Sequence, residues 1–186
     1  VSFSDVYVDN ASIFGEEGHG LQIVQHFFNE NRIRQAASSL GAAQYCINES
    51  VKYAQERKPF GKPLSTNQGI QFPLVELNTT AAMLRALIHK TAWQMDKYGA
   101  FSVSDQVSMC NYIGNRLCCD AADRAMQTHG GLGYSRHKPF EHIYRHHRRY
   151  RITEGAEEIQ MRRIAGYMFG YMKQQAPKGV KSVTGI

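Results

Sequence analysis

Ala36-Ala-Ser-Ser-Leu40-Gly-Ala-Ala43-Gln-Tyr-Cys-Ile47-Asn-Glu-Ser-Val51-Lys-Tyr-Ala54 is the stretch that decides how this chain folds. Ala36, Leu40, Ala43, Ile47, Val51 and Ala54 recur at steps of three and four, which places them on one face of an α-helix. No proline interrupts the chain from Leu21 to Arg57, so one long helix is expected across that span. Lys58-Pro59-Phe60-Gly61-Lys62-Pro63 stops it, because a proline disfavours helix at the residue before it.

Outward from this helix the pattern repeats. Leu74, Leu77, Ala81, Leu84 and Ile88 predict a second helix over about 66–98, with Pro73 tolerable only in its first turns. Gly99 ends it, and Ser102 with Asp105 resembles a capping box for a third helix at about 103–128. The stripe of that third helix is Val107, Cys110, Gly114, Leu117 and Ala121. The glycine-rich run after His129 breaks it, a short helix follows at about 139–148, and a last one spans about 154–174. Phe3, Val6 and Val8 alternate imperfectly with polar residues and predict a short leading strand. The tail from Ala176, with Pro177, Gly179 and Gly185, is expected to fray. Long antiparallel helices joined by short loops imply an all-α, up-and-down four-helix-type bundle with a short leading β segment.

The 186 residues suffice for one ordinary domain with a core of its own. A hydrophobic share of 42%, with nine Phe and ten Tyr, excludes a disordered chain. No apolar run reaches the roughly 20 residues of a membrane span, and the opening VSFSDVYVDN lacks the basic flank and apolar stretch of a secretory signal. That abrupt, strand-like start suggests a piece of something longer. Cys46, Cys110, Cys118 and Cys119 have no metal-like spacing and read as buried, reduced thiols. The formal net charge of +6 suits anionic partners such as phosphates without choosing among them.

Three segments are too particular for generic bundle sequence: Tyr53-Ala-Gln-Glu-Arg57-Lys-Pro-Phe60-Gly-Lys-Pro-Leu64 with Asn67 and Gln68, then Gln127-Thr-His-Gly130-Gly131-Leu-Gly133-Tyr134, then Tyr150-Arg-Ile-Thr-Glu154-Gly155-Ala-Glu-Glu-Ile-Gln160. In this order and at these separations they resemble the C-terminal domain of the FAD-dependent acyl-CoA dehydrogenases, over about residues 2–172. The resemblance implies residues 1–20 as the end of a middle β domain, 21–175 as the helical bundle and 176–186 as a flexible tail. The N-terminal helical domain and most of the β domain would then be absent from this chain.

The chemistry of each segment can be read beside that resemblance. Arg57 stands where a helix ends, and a planar guanidinium there either holds a pyrophosphate through paired hydrogen bonds or is a solvated cation favoured by the helix dipole. Phe60 offers a face to an aromatic ring, and Gln68 offers a donor and an acceptor. Gly130, Gly131 and Gly133 allow positive φ and close approach of backbone to a ligand, whereas an ordinary helix-ending turn needs only one glycine. The resemblance makes Arg57, Phe60, Gln68, Gln127, Gly130 and Gly131 contacts to the FAD of a neighbouring subunit, and so implies a homodimer or homotetramer.

Glu154, followed by Gly155, is either a helix-start carboxylate favoured by the dipole or a base reaching a substrate carbon past an unobstructed glycine. The resemblance selects the base. It would take the proton α to a thioester while hydride leaves the β carbon for FAD, giving trans-2-enoyl-CoA. Gly155 would adjoin the acyl-CoA substrate, and Arg32 would meet its CoA portion. Some family members place the base on the long first helix, at the position of Asn31, which cannot serve; Glu30 beside it is the competing carboxylate. Glu157 and Glu158 read as ordinary helix-start residues. Ala156, Glu158 and His146 depart from the family pattern, where Thr, Gln and Asp are common.

The basic run Arg145-His-His-Arg-Arg-Tyr-Arg151 could in principle offer His142 and His146 to a metal, or arginines to nucleic acid. No third ligand is evident, and a basic face near CoA or another subunit explains the arginines, so neither metal nor nucleic acid is expected. The further implied partner is an electron acceptor such as an electron-transfer flavoprotein. An intracellular soluble place follows: cytoplasm in a bacterium, mitochondrion or peroxisome in a eukaryote. The alternatives are a related flavin oxidase, or a non-catalytic bundle used for oligomerisation or binding.

Overall fold

A computed structural model of the protein describes residues 1–173. Three long helices carry the fold: α1 (Gly20–Glu56), α2 (Gln68–Tyr98) and α3 (Ser104–His129). Three shorter ones follow, α4 (Gly131–Tyr134), α5 (Phe140–Arg148) and α6 (Glu157–Met168). α3 lies centrally, packed against α1, α2, α5 and α6. The core joins Ala36, Leu40, Ala43 and Ile47 of α1 to Ala81, Leu84 and Ile88 of α2, Leu117, Ala121 and Ala125 of α3, and Phe140 of α5. Small residues dominate the α1–α3 seam, which lets the two backbones approach closely.

The expected bundle is present, with several local differences. Residues 1–9 form no strand; among the described residues no other strand exists to supply ladder hydrogen bonds. Val51 is exposed rather than buried, and Ser50 takes the inner position with its hydroxyl donating to Cys46 O at 2.7 Å. At 3.6 residues per turn the buried stripe continues from Ile47 through Ser50 to Ala54. Ser102 does not cap α3. It sits in a 3-10 turn (Ala100–Val103) and donates to Gly99 O at 2.7 Å, so the turn uses the hydroxyl that a cap would need. The last helix begins at Glu157, because Glu154 and Gly155 both adopt positive φ and reverse the chain first. The expected frayed tail lies outside the described residues.

All four cysteines are buried and free. Burial pushes the Cys46 thiol up to about 12 and Cys110 to about 11, so both stay protonated at neutral pH. Among the described residues, no helix is long and apolar enough to cross a membrane.

Candidate active site

The segment leading to Glu154 is anchored from inside the bundle. Asn115 of α3 donates to Tyr150 O at 3.0 Å, and its Oδ1 accepts from Ser39 Oγ of α1 at 2.7 Å. Since the Ser39 proton is engaged, the buried His147 donates from Nδ1 to Ser39 Oγ across 3.0 Å. Burial holds His147 down at about 4, so this ring is neutral at physiological pH. A second anchor is Glu157, whose carboxylate takes two hydrogen bonds from Arg116 at 3.0 and 3.1 Å and two from Arg151, both at 2.8 Å. The two guanidinium groups hold Glu157 down at about 2.

Between these anchors the chain turns through Glu154 (φ 58°) and Gly155 (φ 94°). A non-glycine residue in the left-handed region persists only where its surroundings over-determine it. They do so here. Arg32 of α1 reaches the Glu154 carbonyl with Nε at 3.1 Å and Nη2 at 2.7 Å, and Gln160 of α6 donates to the carbonyls of Glu154 (3.2 Å) and Gly155 (2.9 Å). A Cβ on Gly155 would stand 3.1 Å from Gln160 Nε2 and 3.3 Å from Ile159 Cγ2, in the way of that support.

The Glu154 carboxylate is divided in use. Oε1 accepts a hydrogen bond from Asn31 Nδ2, whereas Oε2 is buried with no partner among the described residues. Burial raises the proton affinity of this carboxyl above the ordinary range, while Arg32 and Arg34 act in the opposite sense. A buried oxygen with an open lone pair and a raised affinity for protons is what a general base requires. Glu30 faces elsewhere: it pairs with His26 at 3.2 Å, both side chains more than half exposed.

Glu154, Gly155 and Arg32 are thus brought together. Arg32 turns inward, only 4% exposed, and Nη1 is its one donor buried without a partner. The other sequence-derived residues gather at a different place. Alternating helix directions put the end of α1, the start of α2 and the end of α3 at one end of the bundle, where Tyr53 and His129 stack with ring centroids 4.3 Å apart. The exposed side chain of Arg57 follows α1; its N–H donates to Tyr53 O at 2.9 Å and its carbonyl accepts from Leu64 N at 2.7 Å. Phe60 is fully exposed at φ 55°, Gln68 opens α2, and Gln127 lies exposed in the last turn of α3. Of the three glycines in the run after His129, only Gly130 has positive φ; Gly131 and Gly133 are helical, in α4. The 25 residues from Arg32 to Arg57, just past the end of α1, span about 38 Å at the helical rise per residue.

Sequence reasoning missed Asn31, Gln160 and Arg116, and read Glu157 as a simple helix-start carboxylate. The positions of Arg116, Arg151 and Glu157 in the sequence carry no signal that they meet, since the contact depends on how α3 packs on α6. Among the described residues, no group of three or more His, Cys, Asp or Glu is placed to hold a metal.

Residues 18–169 match the family profile described as acyl-CoA dehydrogenase, C-terminal domain. An acyl-CoA dehydrogenase of Bacillus subtilis is 33% identical over 168 residues, which cover 90% of this chain and 44% of that protein. The CarC subunit of the caffeyl-CoA reductase-Etf complex of Acetobacterium woodii is 30% identical over 168 residues, with the same two coverages. Among solved structures, a glutaryl-coenzyme A dehydrogenase in complex with glutaryl-CoA superposes with a TM-score of 0.85 at 30% identity, over 91% of this chain and 43% of that one. The chain therefore spans less than half the length of each of these relatives.

Proposed function

The chain belongs to the acyl-CoA dehydrogenase family, and on that premise we propose that it is the C-terminal helical domain of a flavoenzyme acting on acyl-CoA thioesters. Glu154 removes the proton α to the thioester carbonyl as hydride leaves the β carbon, giving trans-2-enoyl-CoA. The observation that carries this reading is the unpartnered, buried Oε2 of Glu154, held in a left-handed turn by Arg32 and Gln160. When bound, FAD supplies the hydride acceptor. Gly155 supplies the positive φ of the turn and leaves space for the Gln160 amide that a Cβ would obstruct, and Arg32 holds the Glu154 carbonyl that fixes the base in place. The same carboxyl serves a reductase by returning the proton to the α carbon, in keeping with a relative named for reduction of caffeyl-CoA.

Arg57, Phe60, Gln68, Gln127, Gly130 and Gly131 would hold the FAD of a neighbouring copy. Their fit to that group rests on an aromatic ring fully exposed in a strained backbone conformation, an exposed guanidinium, and open space beside Gly130 and Gly131. The separation of about 38 Å along the direction of α1 supports two copies sharing each site, hence a homodimer or homotetramer. The relative that belongs to an Etf complex supports an electron-transfer flavoprotein as the electron partner.

Anaerobic addition of acyl-CoA to the FAD-loaded protein that contains this chain tests the reading. The flavin absorbance should bleach, and Glu154→Gln should retain the flavin without bleaching it. Bleaching at the unaltered rate in that variant would overturn the assignment.

A further inference from the structure

Asn31 stands one residue before the arginine that grips the Glu154 backbone, yet it holds a different part of the same residue. Its Nδ2 donates to Glu154 Oε1, and its Oδ1 accepts from Arg34 Nη2 at 2.8 Å. Asn31 and Arg34 lie three apart on α1, where side chains are neighbours. The bond from Arg34 fixes which way the amide points, because a flipped amide would set an N–H against the guanidinium and a carbonyl against the carboxylate. Arg34 itself is exposed, so the relay runs from a surface cation through a half-buried amide to the carboxyl.

We infer that Asn31, oriented by Arg34, is a positioning residue that occupies Oε1 of Glu154 and leaves Oε2 as the oxygen that receives the proton. The inference rests on the proposed role of Glu154 as base. In the step itself the α C–H bond breaks, its proton bonds to Oε2, and hydride leaves the β carbon for FAD as the double bond forms. Asn31 touches none of the reacting atoms. Its contribution is to hold the accepting oxygen in one orientation and to favour the ionised carboxylate before the step, since a hydrogen bond to the charged form stabilises that form. A neutral amide does this without the large drop in basicity that a second arginine at that distance would cause.

The charged groups acting on the carboxyl are Arg32 and Arg34 of α1. From α6, Arg163 acts on Arg32, and Gln160 is neutral. From α3, the neutral Asn111 donates to Arg32 O at 3.2 Å. No carboxylate stands among these supports, so Asn31→Asp would introduce the first like charge.

The test is an infrared titration of the Glu154 carboxyl in the FAD-loaded, full-length protein carrying isotope-labelled glutamate, with Glu154→Gln as the spectral blank. In Asn31→Ala the carboxyl should titrate at higher pH than in the unaltered protein. Asn31→Asp should move it further in the same direction, and Arg34→Gln less far. The acid limb of the pH profile for flavin reduction should follow each shift, with the rate at the optimum lower by on the order of tenfold in Asn31→Ala from poorer alignment. A merely structural role would lower rates uniformly and leave the profile in place. If Asn31→Ala does not fold, Arg34→Gln carries the test, because its side chain is on the surface. A titration that stays put, or moves down, in both variants overturns the inference. A titration that moves as expected while flavin reduction ignores it overturns Glu154 as the base instead.

Discussion

The corner around Glu154 and the end of the bundle around Arg57 and Gly130 are built on opposite principles. At the corner, a strained residue is held by a fork from Arg32, a bridge from Gln160 and an amide from Asn31, with a buried charge cluster at Glu157 behind it. At the end of the bundle, Phe60 is equally strained but wholly exposed, and among the described residues no side-chain hydrogen bond holds Arg57 or Gln68. The difference teaches how the chain divides its work. The corner is pre-organised by its own fold, as the proposed proton abstraction, which tolerates little misplacement, would require. The end presents groups whose partner must come from outside the chain, as the proposed FAD of a neighbouring copy would.

Exchange between the two regions gives the largest expected effect. Glu154→Gln should lower flavin reduction by at least the roughly 10²–10⁴-fold that loss of a general base costs, with FAD affinity unchanged. Arg57→Ala should instead weaken FAD by roughly 10- to 100-fold, the worth of hydrogen bonds to a charged group, with reduction near normal once the cofactor is saturating. Hybrid oligomers of the two variants sharpen the contrast. If each site takes Glu154 from one copy and Arg57 from another, mixing the two variants at an FAD concentration too low to load Arg57→Ala restores intact sites, and activity returns. Hybrids that stay inactive would place both residues in a single copy's site and break the comparison.

The two regions were also unequally legible. Proline, glycine and helical periodicity fixed the bundle, since those signals act locally. Glu154, Arg57 and the glycine run stood out because each lies in a distinctive short segment that resembles the family pattern. Asn31, Arg116 and Gln160 were not found, and Arg32 was read only as a substrate contact and not as a support of Glu154, because these residues come from three helices and meet only after packing. Positive φ at Glu154 and Phe60 is likewise invisible in sequence, where neither residue type suggests it. Only Gly155 hinted at the turn. The leading strand shows the opposite error, a local preference with no partner strand among the described residues to satisfy it.

The charge cluster behind the corner makes a smaller prediction. Glu157→Gln leaves Arg116 and Arg151 facing each other without the carboxylate, beside a side chain only 10% exposed. Losing one partner of a buried pair costs about 3–5 kcal/mol, and discounting for the exposure of Arg116 leaves about 2 kcal/mol. The pH dependence has a definite sign. Glu157 titrates at about 2 in the fold against an ordinary 4.5, so its contribution is complete above 4.5 and is lost as pH falls through about 2. Urea unfolding of the variant should show the full deficit near neutrality and a shrinking one below pH 4.5, where a protonated Glu157 and the glutamine replacing it carry the same charge. A deficit that is constant with pH would mean the cost is packing and not charge.

The smallest effects separate two glycines of α4 that look alike in sequence. A Cβ on Gly133 would lie 2.7 Å from His129 Cβ and 2.7 Å from Met126 O. The backbone oxygen belongs to the last turns of α3 and cannot yield without opening them, so Gly133→Ala should destabilise the fold by about 1–3 kcal/mol. Gly131 is helical too, but a Cβ there meets nothing within 4 Å. Gly131→Ala should therefore raise the stability of the unliganded protein by a few tenths to about 1 kcal/mol, because alanine loses less backbone freedom on folding. If that open space is the face that receives FAD, the same methyl group should weaken the cofactor while stabilising the fold. Thermal unfolding paired with FAD titration reads both quantities on one sample. Unaltered FAD affinity in Gly131→Ala would show that the space beside it is plain solvent, and would move the cofactor's contact away from this turn.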